Sequence, residues 1–381
     1  MTPAVIDTHG GVMVDIIEDF RGFTALTPGW NELLRASSSD CPFLTAEWLQ
    51  AWWAHVGGAR ALHIMTVRDE THRLIAVAPL MVVDGPLGMF RRLEFLGTGY
   101  AGSDYLDVIV RRGHEREGLQ ALVAAIRQEK AVLCLSHVAD GSLALVLSER
   151  LADVGWTARR TPASVCPIVM LEGHTWDSYL ASLGASHRAN FRRRLRALTN
   201  RFEMRFELVA SDPARAEALA VLLRFHAQRF GARGSTAFVS PALCAFHDDA
   251  TERARGQGWL RLFVLRLDGT AAAVMYGFSY NRRFSFYQHG FDAQYDSFSV
   301  GTVLMGLTIQ AALEEGALEF DMLYGTEGYK WLWARDQRPL TELQLYPPDL
   351  GGIVHRRTAA AERGMRAVAR RILAIGAARA S

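Results

Sequence analysis

Apolar residues recur along this chain in two rhythms. Residues 259–267 and 271–280 are two largely apolar runs on either side of an Asp268-Gly269 turn, which predicts a strand pair. Residues 284–290 predict a third strand. A polar loop follows, then a helix opening at Ser299, and a short buried strand ending at Asp321. The same succession stands earlier in the chain. Strands are predicted over 62–67 and 74–83, joined by the polar turn 68–73, and over 92–96. A glycine-rich loop, a helix over 115–128 and a buried strand over 132–135 follow. This is an internal repeat of one α/β unit, with its boundary near 172–185. Helical spacing predicts further helices over 30–34, 47–56, 142–154, 176–183, 186–201, 212–230 and 241–255. Thr45 is the candidate N-cap of the second, and Pro213 suits the first turn of the sixth. Strands are predicted over 12–17, 156–160, 165–171, 203–209 and 340–346, and residues 1–11 read as an unstructured lead.

A length of 381 residues suits two domains better than one. Half the residues are hydrophobic and 22% are charged, as in a packed protein and not a disordered one. The net charge of +2 says little, but arginines cluster at 188–205 and again at 356–371. Cys41, Cys134, Cys166 and Cys244 form no C-x-x-C pair, which argues against zinc ribbons and thioredoxin-type motifs and for reduced thiols. No basic-then-apolar leader opens the chain and no run of about 18 apolar residues occurs, so the expected place is the cytoplasm.

Four pieces of sequence together resemble a known family. They are the helix over 43–53, the loop G-x-x-x-S-D-Y-x-D ending at Asp107, the arginine-rich helix over 186–196, and D-x-x-x-G-x-x-x-Y-K-x-x-W from Asp321 to Trp333. The set is similar to that of GNAT-superfamily acyltransferases of the FemABX-like group and the BioF2-like (CelD-type) acetyltransferase domain proteins. It covers the chain to about residue 347. The resemblance implies an α/β (α+β) fold of tandem GNAT-like domains, each a mixed central sheet flanked by helices. They would span 1–172 and 173–348, followed by a basic C-terminal helix over 349–381. It implies an N- or O-acyltransferase modifying a sugar in exopolysaccharide or cell-envelope polysaccharide biosynthesis. The co-substrate would be an acyl-CoA, acetyl-CoA in the first instance, with no metal. A sugar nucleotide or lipid-linked sugar would be the acceptor. FemABX-like aminoacyl transfer to a peptidoglycan precursor and a non-catalytic, degenerate GNAT regulator remain open.

Acyl transfer to an amine or hydroxyl needs a proton acceptor, donors for the developing oxyanion and a positioned acceptor, but no covalent nucleophile. No convincing Ser-His-Asp or Cys-His signature occurs. Asp321, expected at the mouth of a central cleft, is the first candidate base; a turn cap is its other reading. Glu327 and His289 compete with it, and Tyr324 can donate to an oxyanion. Asp104, Tyr105 and Asp107 are the first half's candidate substrate ligands. Tyr329, Lys330 and Trp333 are those of the second, with Trp333 offering a face for a sugar ring or simply packing. Arg188, Arg192 and Arg196 fall at i, i+4 and i+8, one face suited to phosphates or to solvent. Ser299, Val300, Gly301 and Thr302 are the candidate donor cradle, since helix N-termini hold pyrophosphates. The basic tail from residue 355 suits an anionic membrane surface at its inner face or an anionic nucleotide such as cyclic di-GMP. No nucleic-acid-reading motif is visible.

Overall fold

A computed structural model describes residues 6–8, 11–85, 91–230, 238 and 240–361. In the first half β1 (Ile6–Thr8) and β2 (Val12–Ile17) precede α1 (Phe20–Ala25), α2 (Thr27–Arg35) and α3 (Ala46–Val56). There follow β3 (Ala61–Arg68), β4 (Leu74–Val83), β5 (Arg92–Phe95), β6 (Ile109–Val110), α4 (Glu115–Glu129), β7 (Val132–Ala139), α5 (Leu143–Asp153) and β8 (Thr157–Met170). The second half runs α6 (Trp176–Ser182), α7 (Ala185–Arg201), β9 (Met204–Leu208), α8 (Asp212–Phe230), α9 (Pro241–Gly256), β10 (Leu260–Leu267), β11 (Thr270–Tyr280) and β12 (Arg283–Phe291). It ends with α10 (Val300–Glu314), β13 (Glu319–Asp321) and β14 (Asp336–Tyr346). Residues 350–361 are helical. Most of the basic tail lies outside the described residues. No described helix is long and apolar enough to cross a membrane.

The local expectations hold where local chemistry decides them. Thr45 caps α3, its hydroxyl accepting from the Trp48 amide. Two differences come from pairing. Ile6–Thr8, read as an unstructured lead, is a strand because β2 offers it an antiparallel edge. The two strands expected over 156–160 and 165–171 are one, β8, because β14 pairs with it continuously from Thr157 to Ile168.

All the strands form a single mixed sheet in the order β1-β2-β3-β4-β5-β7-β14-β8-β13-β12-β11-β10-β9, with β6 pairing on β4. The middle is exchanged. The last strand, β14, lies against β7 of the first half, and β8, which closes the first half in sequence, lies against β13 of the second. Each half contributes one parallel pair, β5 with β7 and β12 with β13. Helix α3 packs on α9 across the halves, with Trp48 edge-on to Phe246 at 4.8 Å. One apolar core therefore runs through both halves. A second fills the space between the sheet and α6, α7 and α10.

Candidate active site

The site lies where β12 and β13 part. They pair over three residues, Arg283–Ser285 against Glu319–Asp321. Beyond these, β12 carries a bulge in which Tyr287 is the extra residue opposite Tyr276 and Gly277. A bulge bends its strand. Gly277 stands opposite because a Cβ there would come within 2.6 Å of the Ser285 carbonyl oxygen. On the other side Leu323 turns the chain away at φ 53°. The ends of the two strands diverge and two cavities open.

The first, about 270 Å³, sits at the start of α10. Ser299 adopts φ 55°, ψ 47° and the helix begins at once behind it. A left-handed residue followed by right-handed ones turns successive amides to one side, an anion-binding nest. No side chain caps α10 and no acid stands in its first turn, so the positive end of its dipole faces the cavity. Ser299, Val300, Gly301 and Thr302 all line it, with Phe291, Trp333 and, at the rim, Asp296. Arg194 of α7 donates to the Ser297 carbonyl at 2.6 Å and steadies the turn.

The second cavity, about 500 Å³, lies over the seam between the halves. The 97–107 loop contributes Tyr100, Gly102 and Asp104, and β12 contributes Gln288 and His289. The segment after β13 contributes Tyr324, Glu327, Tyr329 and Lys330. Arg229, His289 and Tyr329 line both cavities, so the two share a wall. Tyr100, Tyr324 and Tyr329 are 69%, 47% and 36% exposed and form an aromatic rim.

Asp321 is not at the mouth. It is 0% exposed and is absent from the cavity wall. Its Oδ2 accepts from the Tyr105 hydroxyl at 2.6 Å and from Arg338 at 3.2 Å, and its Oδ1 accepts from the Leu323 amide at 2.8 Å. Burial pushes its carboxyl up to about 6, against the hydrogen bond from Tyr105 and the Arg338 charge. The same burial, with the Asp321 charge, pushes the Tyr105 phenol well above its ordinary range. Tyr105, expected to meet substrate, thus bolts the loop to the second half. Two further bonds complete the strap. Tyr287 donates to the Ala101 carbonyl, and the Tyr324 amide donates to Asp104 at 2.9 Å.

Asp107 also leaves the site. It accepts from Ser39 and from the amides of Val108, Leu143 and Ala144, so it caps α5. Lys330 is 3% exposed; it donates to the carbonyls of Leu323 and Tyr324 and pairs with Glu327 at 3.1 Å. It reaches the cavity as a strut under the 323–327 turn. Trp333 packs edge-on to His187 and Phe191 and offers no open face. The arginine helix does not wall the central cavity. Arg188 donates to the carbonyls of Ala181 and Leu183, Arg196 donates to the Arg192 carbonyl, and Arg192 is exposed.

His289 remains at the junction. Burial, helped by the charges of Arg229, His226 and Lys330, lowers it to about 3, so its imidazole is neutral at physiological pH. The Tyr329 ring meets it edge-on at 5.4 Å. Burial raises the Tyr329 phenol, which keeps its proton. Two participants escaped sequence reasoning. Arg229 stands in the last turn of α8, outside every motif. His137 on β7 stacks on Tyr324 at 5.0 Å and pairs with Asp104 at 3.2 Å. Burial opposes its charge, but the Asp104 carboxylate prevails and raises it to about 8. No group suited to a metal ion occurs among the described residues.

Residues 185–331 match the family model described as an acetyltransferase (GNAT) domain. That segment, which carries the GNAT-type acetyltransferase domain, contains α7, the nest at the start of α10 and most of the cavity walls. Among solved structures the chain is similar to FemX, at 12% identity and a TM-score of 0.60, covering 87% of this chain and 97% of that one. It is similar to the C-terminal domain of a protein described as a lysylphosphatidylglycerol synthetase from Agrobacterium fabrum, at 14% and 0.55, covering 89% and 96%. L-PGS from Bacillus licheniformis also matches at 14% and 0.55, covering 87% and 93%. At such identities the likeness is one of fold. A search of curated protein sequences finds no match.

Proposed function

We propose that the chain transfers an acyl group, acetyl in the first instance, from a coenzyme A thioester to a hydroxyl or amine of a sugar. The observation that carries this is the shared wall. An uncapped helix N-terminus suited to a pyrophosphate opens onto one cavity, and the polar, tyrosine-rimmed cavity beside it shares Arg229, His289 and Tyr329 with the first. The donor cradle fits the residues present: Val300 and Gly301 open the helix at the cavity wall with no competing acid in the first turn, while the Thr302 amide is taken by the Ser299 carbonyl. A bound thioester would supply the activated carbonyl there. Neutral His289 takes the acceptor's proton as its oxygen or nitrogen bonds to the thioester carbon, and passes it to the coenzyme A thiolate as the C–S bond breaks. Protonated Tyr329 donates to the oxyanion that forms. Asp104 and Lys330 hold the 323–327 turn in place from both sides. The exposed tyrosine faces and the pairing of Lys330 with Glu327 suit a neutral, hydroxylated ring better than a phosphorylated one.

The BioF2-like and CelD-type motifs support an acceptor in exopolysaccharide or envelope polysaccharide, met at the cytoplasmic face of the membrane. The fold shared with FemX motivates a second reading, aminoacyl transfer from a charged tRNA. Titration with acetyl-CoA and with charged tRNA, followed by acyl analysis of polysaccharide from a strain lacking the gene, separates them. Binding of acetyl-CoA, and acylation restored by the wild type but not by His289→Ala, is the expected result. Restored acylation by His289→Ala would remove the assigned proton acceptor. Binding of neither donor would leave a regulator that is not an enzyme.

A further inference from the structure

Beside the donor cavity, and separated from it by Leu332, runs an open groove of about 700 Å³ between α7 and the 331–335 turn. The proposed donor is larger than the 270 Å³ cavity at α10, so a part of it must lie outside. Arg193 and Asn190 line the groove from α7, and Trp331 and Arg335 line it from the turn. None of its lining residues is acidic. Arg193 is exposed and held toward Asn190 by a 2.9 Å hydrogen bond. The Arg335 guanidinium is held by one nitrogen, Nη1, which donates to the carbonyls of Trp331 and Ala334 and leaves its other nitrogens to the groove. The next residue of α7, Arg194, is the one that grips the turn before the nest. The same helix therefore borders the pyrophosphate cradle and the groove.

Two arginines beside an indole form a nucleotide-binding arrangement: a base lies on the ring, and a phosphate dianion is gripped by forked guanidinium donors. We infer that this groove binds the 3′-phosphoadenosine end of the coenzyme A donor, with Arg193 and Arg335 on the 3′-phosphate and Trp331 beneath the base. This rests on the acyl-CoA reading and specifies where its nucleotide lies. It also gives the arginine-rich helix a role on the donor side, away from the acceptor.

The test is calorimetric titration of the full chain with coenzyme A and with 3′-dephospho-coenzyme A. The wild type should bind coenzyme A about tenfold more tightly, the worth of one or two charge-assisted hydrogen bonds. Arg193→Ala and Arg335→Ala should each remove most of that preference while leaving 3′-dephospho-coenzyme A affinity within about twofold. Two variants are used because Arg335 also steadies its own turn, whereas Arg193 stands on the helix surface. If the wild type binds both ligands equally, or if both variants lose affinity for both alike, the groove assignment is overturned and the coenzyme A donor stands. If neither ligand binds the wild type, the donor reading itself fails, and the groove assignment with it.

Discussion

Helices α4 and α10 occupy the same place in the two copies of the repeat, each preceding the short buried strand of a parallel pair. They begin in opposite ways. The first turn of α4 carries Glu115 and Glu117. Glu115 accepts from the Gly113 amide and Glu117 contacts His114, so the positive helix end is already answered by its own carboxylates. The helix also sits tightly on the sheet: a Cβ at Gly118 would come within 2.9 Å of Val110 and 3.1 Å of Ala76. α10 has no acid in its first turn and no side-chain cap, and a cavity stands before it. The strands behind them differ as well. By register the third residue of the parallel strand is Cys134 in the first half and Asp321 in the second. A repeated unit has become a closed scaffold in one copy and a binding site in the other, and the closed copy lends its 97–107 loop to the open one.

The strongest way to break this division is at the seam. Asp321→Ala leaves the Tyr105 hydroxyl and part of the Arg338 charge without a partner, and should cost about 3–5 kcal/mol in denaturant unfolding. A cost under about 1 kcal/mol would mean that the strap does not hold the halves together. Next, copying the closed copy onto the open one sharpens the contrast. Thr302→Glu places an acid where Glu117 stands in α4. Coenzyme A affinity should fall roughly thirtyfold or more from repulsion at the cradle, while stability is kept or rises by about 0.3–1 kcal/mol. Unchanged affinity would place the pyrophosphate elsewhere. The reverse change, Glu117→Gln, should cost about 1 kcal/mol or less and leave turnover untouched. Smallest is a pH effect. His137 is raised from an ordinary value near 6.5 to about 8, so its pairing with Asp104 stabilises fully below about 6.5 and is lost as pH rises through 8. Melting temperature between pH 6 and 9 should decline more for the wild type than for His137→Gln.

The candidate site was legible unevenly. The loop around Asp104 and the 324–330 segment do meet in one cavity, although their residue types suited structural roles as well, and Tyr105, Asp107 and Lys330 took such roles. Asp321 misled because an acid ending a buried strand reads the same whether it faces water or a tyrosine 216 positions away. Asp107 misled likewise: it caps α5 across 36 residues, and no local pattern marks a cap supplied from so far. The i, i+4 row of Arg188, Arg192 and Arg196 defines a helix face, but not what that face meets. Arg229 and His137 carried no motif at all.

What the sequence by itself determined is whatever short-range chemistry dictates. It set the strand pairs about their polar turns, the α3 cap at Thr45, the repeat, and a helix opening at Ser299 with no acid in its first turn. Only the tertiary structure decided that β8 and β14 change places, that Asp321 lies under the floor with Tyr105, and that two cavities share His289. Those outcomes depend on pairings between residues far apart in the chain. Their free energy comes from burial and from partners that no local window contains.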